Sequence, residues 1–358
     1  MKNIYARFLD EQTDKKLALA TIVSTKGSSP QVPGVSALFS DKGLLTGTLG
    51  GGILEARAEE KALESLQAGK SFLARFDMYA DISTEEEAIC GGEATILFDA
   101  KPAEHKSTLQ KMVRSLIDRK PGILVTDIHR INDRIVKLSR SWREKSEIFG
   151  EEAEKLDFPF REDIKKAFSS GFPVYLSERK TVDGEVWDVY LEPQYPLSRL
   201  VIAGAGHVGQ AVAHIGHLLD FEVTVIDDRP EFANENRFPE ADHIIVKDVG
   251  KAIETIPKTE DTYFVIVTRG HSHDADALKA GIGYDVAYIG MIGSGRKIAL
   301  MRKKFIDLGW ATANQFDRVY APIGIDIQSK TVQEIAVSIA AQLAQVRAQV
   351  EQQATEAT

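Results

Sequence analysis

The 358-residue chain has one cysteine, Cys90. A single thiol excludes an internal disulfide framework and a cysteine-rich structural zinc site. Long apolar runs are missing too, and no stretch approaches the roughly 18 residues of a membrane span. The N-terminal MKNIYARFLDEQTDKKLALA carries charge along its length, where a secretory signal needs an unbroken apolar core, so a cytoplasmic location is expected. Basic residues are the minority, 44 against 53 acidic, for a formal net charge of −9. That balance speaks against nucleic acid or an anionic membrane as partner and leaves small anions, held in a local basic pocket, as the ligand class to look for.

What is present is ordinary for a globular protein, with 43% hydrophobic and 27% charged residues, and the length suits two or three domains. LALATIVST (17–25), VSALFSD (35–41) and LLTGTLG (44–50) read as strands divided by turn residues. Leu54, Ala58, Ala62 and Leu66 then recur at helical spacing up to Gly69, and SFLARFDM (71–78) and ATILFDA (94–100) read as two more strands. Between about 105 and 195 come a helix-like stretch and two hairpins, the second turning at Asp183-Gly184, and their expected role is to complete the sheet of the first domain.

Pro193 and Pro196 punctuate LEPQYPLSR, the expected linker. Beyond it RLVIAG, EVTVID, DHIIVK, YFVIVT and VAYIGM alternate with amphipathic, helix-length segments, which predicts a parallel sheet with helices on both faces. The expected class is therefore α/β: an N-terminal α/β domain with a mixed sheet (1–192, core 10–100, extension 101–192), a linker (193–198) and a Rossmann-like doubly wound domain (199–358). The last of these ends in a long helix with Ile335, Ile339, Leu343 and Val346 on one face, read as core or dimer surface and giving a homodimer as the expected state.

Four motifs carry the chemistry. Gly47, Gly50, Gly51 and Gly52 cluster between a strand and a helix, either as a tight corner or because another group approaches bare backbone. Gly204-Ala205-Gly206-His207-Val208-Gly209 follows a strand and opens a helix, the context of a nucleotide-binding loop, with Asp227 at the end of the next strand where a carboxylate takes ribose hydroxyls. The other reading is a loop of this type without a ligand. Gly293-Ser294-Gly295-Arg296-Lys297 opens another helix with two cations in its first turn; they oppose the helix dipole unless an anion offsets them or water solvates them. Arg269 to Asp276 places His271, His273, Asp274 and Asp276 after the fourth strand, where a metal site, an acid/base pair, a helix cap by Asp274 and a ligand contact by His271 are the alternatives; no metal is expected. Cys90, before Gly91 and Gly92, is either a thiolate beside free amides or an inert buried thiol.

Together the segments GSSPQVPG (27–34), GTLGGGILE (47–55), CGGEATILF (90–98), VIAGAGHVG (201–209), VIDDRPEFANENRFPEAD (225–242), TRGHSHDADAL (268–278), YIGMIGSGRK (288–297) and APIGIDIQSKTVQEIAVSI (321–339) resemble the xanthine dehydrogenase accessory family, the XdhC/CoxI proteins. The resemblance covers both halves in order and implies a non-catalytic chaperone. Such a protein binds molybdenum cofactor, shields it while a cysteine desulfurase installs its terminal sulfur, and passes it to a xanthine dehydrogenase-type enzyme. It further implies a cofactor site at the junction of the two domains. Gly50, Gly51, Gly52, Glu55, Cys90, Gly91 and Gly92 would lie on one side, and Gly204, Gly206, His207, Gly209, Asp227, Arg229, His271, Gly293, Ser294 and Arg296 on the other. Gly52 stands where the family usually carries a cysteine, which leaves Cys90 as the only sulfur available to contact molybdenum. The alternatives are an NAD(P)-dependent oxidoreductase with His271 or His273 as acid/base, and a scaffold that docks partners through its C-terminal helix.

Overall fold

Alternation in LALATIV puts Ala18, Ala20 and Ile22 on one face of a strand and Leu19 and Val23 on the other, and all five are buried. A strand buried on both faces needs a layer on each side, and that need organises the first half of the chain. The computed structural model describes residues 3–11, 15–29, 31–77, 92–150, 160–182 and 185–356. Two units result, Met1–Pro196 and Leu197–Ala357.

In the first unit the elements run α1 (Ile4–Glu11), β1 (Ala18–Gly27), β2 (Ser36–Ser40), β3 (Gly43–Gly47), α2 (Gly52–Ala68), β4 (Phe72–Asp77), β5 (Gly92–Asp99), α3 (Lys106–Ile117), β6 (Gly122–Ile131), β7 (Arg134–Glu144), α4 (Lys145–Phe149), α5 (Arg161–Ser170), β8 (Val174–Val182) and β9 (Glu185–Gln194). One sheet has the order β3-β2-β1-β5-β4, and every pairing in it is antiparallel. The mixed sheet expected here is corrected in that detail: the one helix inside it, α2, joins strands at opposite edges and imposes no parallel neighbour.

The two hairpins form, but they do not extend this sheet. They make a second antiparallel sheet, β7-β6-β9-β8, whose ten-residue ladder between β6 and β9 satisfies its own backbone groups. Its apolar face lies on the far side of β1: Leu124, Trp142 and Ile128 pack with Leu19, Leu38, Val23 and Leu97, while α2 covers the opposite face through Leu54, Ala58 and Ala62. The extension thus covers a face where an added edge had been expected. Asn132 and Asp133, both at positive φ, make the first hairpin turn; Asp183 and Gly184 lie outside the described residues.

The second unit runs β10 (Arg199–Ala203), α6 (His207–Leu218), β11 (Glu222–Asp227), β12 (His243–Val246), α7 (Val249–Thr255), β13 (Thr262–Ile266), α8 (His271–Gly281), β14 (Tyr288–Met291), α9 (Gly295–Asp307), α10 (Ala313–Asp317) and α11 (Val332–Glu356). All five strands are parallel in the order β12-β11-β10-β13-β14, the doubly wound arrangement, with its switch point between β10 and β13. Ile339, Leu343 and Val346 of α11 are buried in this unit's own core beside Val212 and Phe221. The apolar stripe that suggested a dimer surface is already covered within the chain. Among the described residues no helix is long and apolar enough to cross a membrane.

Between the two sheets of the first unit lies a buried polar network. Glu192, 4% exposed, accepts hydrogen bonds from Tyr5 Oη (2.5 Å) and Gln194 Nε2 (2.7 Å), and Arg140 pairs with Asp99 at 2.5 Å close by. Burial pushes the Glu192 carboxyl up to about 7 against the attraction of Arg140. The folded chain then holds a proton that the unfolded chain releases near 4.5, so this contribution is greatest below that pH and is lost as pH rises toward 7. Urea unfolding of the wild type should show stability falling by up to about 1.4 kcal/mol per pH unit between about pH 5 and 7 relative to Glu192→Gln, whose neutral amide removes the linkage. Parallel pH profiles of the two proteins would overturn that assignment.

Candidate functional site

The parallel register aligns the carboxyl ends of three strands, because Ala203 pairs with Ile266 and Ile266 with Met291. The ladder continues past them through Val267 N to Ala203 O (2.8 Å) and Ile292 N to Ile266 O (3.0 Å). The loops that follow therefore emerge side by side, and each opens a helix, α6, α8 or α9. At each helix start stands a glycine, Gly206, Gly270 or Gly295, around whose missing side chain there is open space. Three helix N-termini on one sheet edge bring the positive ends of three dipoles together, a setting suited to an anion.

The three glycines of the 204–209 loop have three separate reasons. Gly204, at φ 119°, leaves no room for a side chain, since a Cβ there would stand 2.5 Å from the Val267 carbonyl oxygen. Gly209 lets α6 settle onto the loop, where a Cβ would overlap the Gly204 carbonyl. Gly206 is bare toward open space only, with an ordinary φ of −71°. The first and third glycines serve close backbone approach, and the second leaves the edge open to a ligand. His207, the first residue of α6, is exposed and lines a groove of about 580 Å³ with Gln210, His214, Arg237 and Phe238.

Asp227 ends β11 and is already engaged. Its Oδ2 accepts from Ala205 N (2.8 Å) and Arg229 Nη2 (2.9 Å), and its Oδ1 from Arg229 Nε (2.8 Å) and Arg229 N (3.1 Å). Although burial opposes it, these bonds hold the carboxyl down to about 2. Arg229 in turn lies 3.8 Å over the Phe232 ring, with Arg237 on the same ring at 5.1 Å. Arg237 also donates to the Ala205 carbonyl (3.4 Å) and to Gln210 Oε1 (3.2 Å).

Asp274 is wholly buried in the first turn of α8, and its side chain does not cap that helix. It accepts from Thr268 Oγ1 (2.6 Å) and from Lys297 Nζ, which also donates to the Ile292 carbonyl. Here is the anion that offsets one of the two cations opening α9. Ser294 is the cap of that helix, accepting from Lys297 N, and Arg296 stays exposed, with no ion pair or side-chain hydrogen bond among the described residues. His271 is the first residue of α8, and Gly293 lies just after β14.

In the first unit Gly50, Gly51 and Gly52 all take positive φ (115°, 71° and 57°), and open space surrounds the last two. Glu55 braces this corner: its Oε2 accepts from Thr48 Oγ1 (2.7 Å) and Leu49 N (3.0 Å), and the Thr48 bond foremost holds its carboxyl below the ordinary range. Gly92 faces Gly27 across β1 and β5, where a side chain would strike the Ser28 carbonyl, so strand contact explains that glycine. Cys90 and Gly91 lie outside the described residues. The predicted residues thus form two sets, one in each unit. Thr268, Phe232 and Arg237 were not among them, and the sequence marks Lys297 only as a cation in want of an anion. The spacing of Arg229, Phe232 and Arg237 was visible, but only the turns over 229–238 bring both guanidinium groups onto one ring.

Comparison with known proteins places the chain. Residues 11–77 match the model of the XdhC and CoxI family, and residues 200–343 match that of the XdhC Rossmann domain, together more than half of the sequence. The chain belongs to this family. It is 25% identical over 342 residues to a probable xanthine dehydrogenase subunit of Bacillus subtilis, covering 95% of this chain and 96% of that protein. To the molybdenum cofactor insertion chaperone PaoD of Escherichia coli it is 23% identical over 339 residues, or 93% and 84% of the two chains. A further Escherichia coli relative, YqeB, is 32% identical over 165 residues, which is 46% of this chain and 30% of that protein's length. In fold the chain is similar to the crystal structure of a xanthine dehydrogenase from Bacillus halodurans, with a TM-score of 0.72 at 22% identity over 96% of both chains.

The division of labour among the glycines is open to a direct test. Gly204→Ala should lose about 2–4 kcal/mol of stability, through its backbone angle and the clash with Val267. Gly206→Ala, at an ordinary φ and facing open space, should unfold within about 0.5 kcal/mol of the wild type. Chemical denaturation of both variants reads this, and equal losses would show that Gly206 is also held by backbone contact.

Proposed function

We propose that this chain is a cytoplasmic accessory protein that carries molybdenum cofactor as its cargo. It holds the cofactor while a cysteine desulfurase supplies the terminal sulfur and delivers it to a xanthine dehydrogenase-type enzyme. The observation behind the reading is the sheet edge with three helix N-termini and the exposed Arg296, in a chain of which 93% aligns with a protein named a molybdenum cofactor insertion chaperone. The cargo is an anionic pyranopterin phosphate. Its phosphate suits the amides at Gly206, Gly270 and Gly295, with His207 and His271 at the starts of two of those helices. In the first unit, taken by itself, the corner at Gly51 and Gly52 leaves bare backbone toward open space and is braced by Glu55, and Cys90 is of the residue type whose soft sulfur molybdenum favours.

The chain's own part is to bind and to exclude. Helix amides neutralise the phosphate, Arg296 adds a charge, and the buried Asp274–Lys297 pair keeps the starts of α8 and α9 in place under that load. No residue need act as a general acid or base in this role. The oxidoreductase alternative rests on the glycine loop and the strand order.

The test is anaerobic: purified protein is mixed with released molybdenum cofactor, bound and free fractions are separated by gel filtration, and pterin is measured by fluorescence after oxidation. Stoichiometric pterin should travel with the protein. Cys90→Ala should lower retention, and Gly52→Cys, at φ 57° with open space around it, should fold at a cost of about 1–2 kcal/mol and raise retention. Pterin found only in the free fraction would overturn the proposal.

A further inference from the structure

In a doubly wound fold the carboxylate that ends the second strand selects a dinucleotide by accepting hydrogen bonds from the adenosine ribose hydroxyls. That role needs free lone pairs. An ionised carboxylate has about four acceptor sites, and Asp227 is met by four donors: Ala205 N, Arg229 N, Arg229 Nε and Arg229 Nη2, all within 3.1 Å. Three of the four come from one residue. Arg229 is fixed there, with its guanidinium 3.8 Å above Phe232 and its side chain 19% exposed.

We propose that Arg229 is a specificity-determining residue that closes the ribose position of the 204–209 loop, so that this unit rejects NAD(H) and accepts an anionic ligand through its phosphate only. The inference rests on the cargo reading above, because it concerns the same sheet edge, and it names what that edge excludes. The phosphate-facing features, Gly206 and the start of α6, stay open, while the diol-facing one is saturated. A ribose hydroxyl arriving at Asp227 would have to displace a charge-assisted, two-point bond and the ring contact behind it. A pterin phosphate makes no such demand.

Full-length protein is titrated separately with NADH and NADPH, following nicotinamide emission and quenching of tryptophan. The wild type should bind neither with a Kd below about 1 mM. Arg229→Ala, with folding checked by thermal melting, should bind NADH at least about tenfold more tightly than the wild type, because one acceptor site is freed on each carboxylate oxygen while the two backbone donors stay. Arg229→Lys, which cannot form the paired bonds, should gain less. Micromolar NADH binding by the wild type would overturn the inference, as would a folded Arg229→Ala that gains nothing. Tight NADPH binding by the wild type would overturn it too, since Arg229 would then be reading a 2′-phosphate. If Arg229→Ala does not fold, the wild-type titrations still decide. Cofactor retention is a separate readout, so its failure leaves these titrations interpretable, and their failure leaves it standing.

Discussion

Everything at the candidate ligand edge depends on one close approach, the contact of the Gly204 backbone with the carbonyl of Val267 and the Cα of Thr268. Parallel strands β10 and β13 bring their carboxyl ends level, but only a residue without a side chain lets the loop after one strand run against the chain leaving the other. Gly209 repeats the economy one turn later, where α6 rests on the loop it grew from. With both contacts made, α6 starts at the sheet edge, next to a Gly206 that faces open space.

Charge is handled at this edge by saturation. Asp274, wholly buried, is met by Thr268 and Lys297; Asp227 is met by the loop amide and by Arg229. A buried carboxylate left unpaired would cost several kcal/mol, and one partner of each acid comes from another loop, Ala205 N for Asp227 and Lys297 for Asp274, so these two bonds also fix the loops against one another. Once the acids are neutralised in this way, an acidic chain with a net charge of −9 presents Arg296 and three helix amino ends at this edge. The first unit uses the same device between its sheets, where Arg140 meets Asp99 and Tyr5 meets Glu192.

Much of this was legible in the residues. The 204–209 glycines, the five apolar runs and the parallel sheet they imply were readable because each is a local pattern with a period or a spacing. The second sheet of the first unit was misassigned for a physical reason: a hairpin's sequence specifies pairing within itself, and whether its apolar face meets a sheet's edge or its face depends on residues a hundred positions away, here Leu19 and Leu38. Glu55 illustrates a similar limit. The resemblance implied it as a residue of the cofactor site, and only the fold shows that its carboxylate accepts from Thr48 and Leu49 and braces the corner.

The sequence by itself determined the two halves, the doubly wound class of the second, the glycine positions where backbone must pass close to backbone, and the family to which the chain belongs. Only the tertiary structure decided which glycines face open space, that the C-terminal stripe is core, and that Asp227 is closed by Arg229. The reason is common to all three. Periodicity and backbone angle act over a few residues and are written in order along the chain, whereas the vacancy around a glycine, the burial of a helix face and the saturation of a carboxylate are counts of neighbours that chain order does not contain.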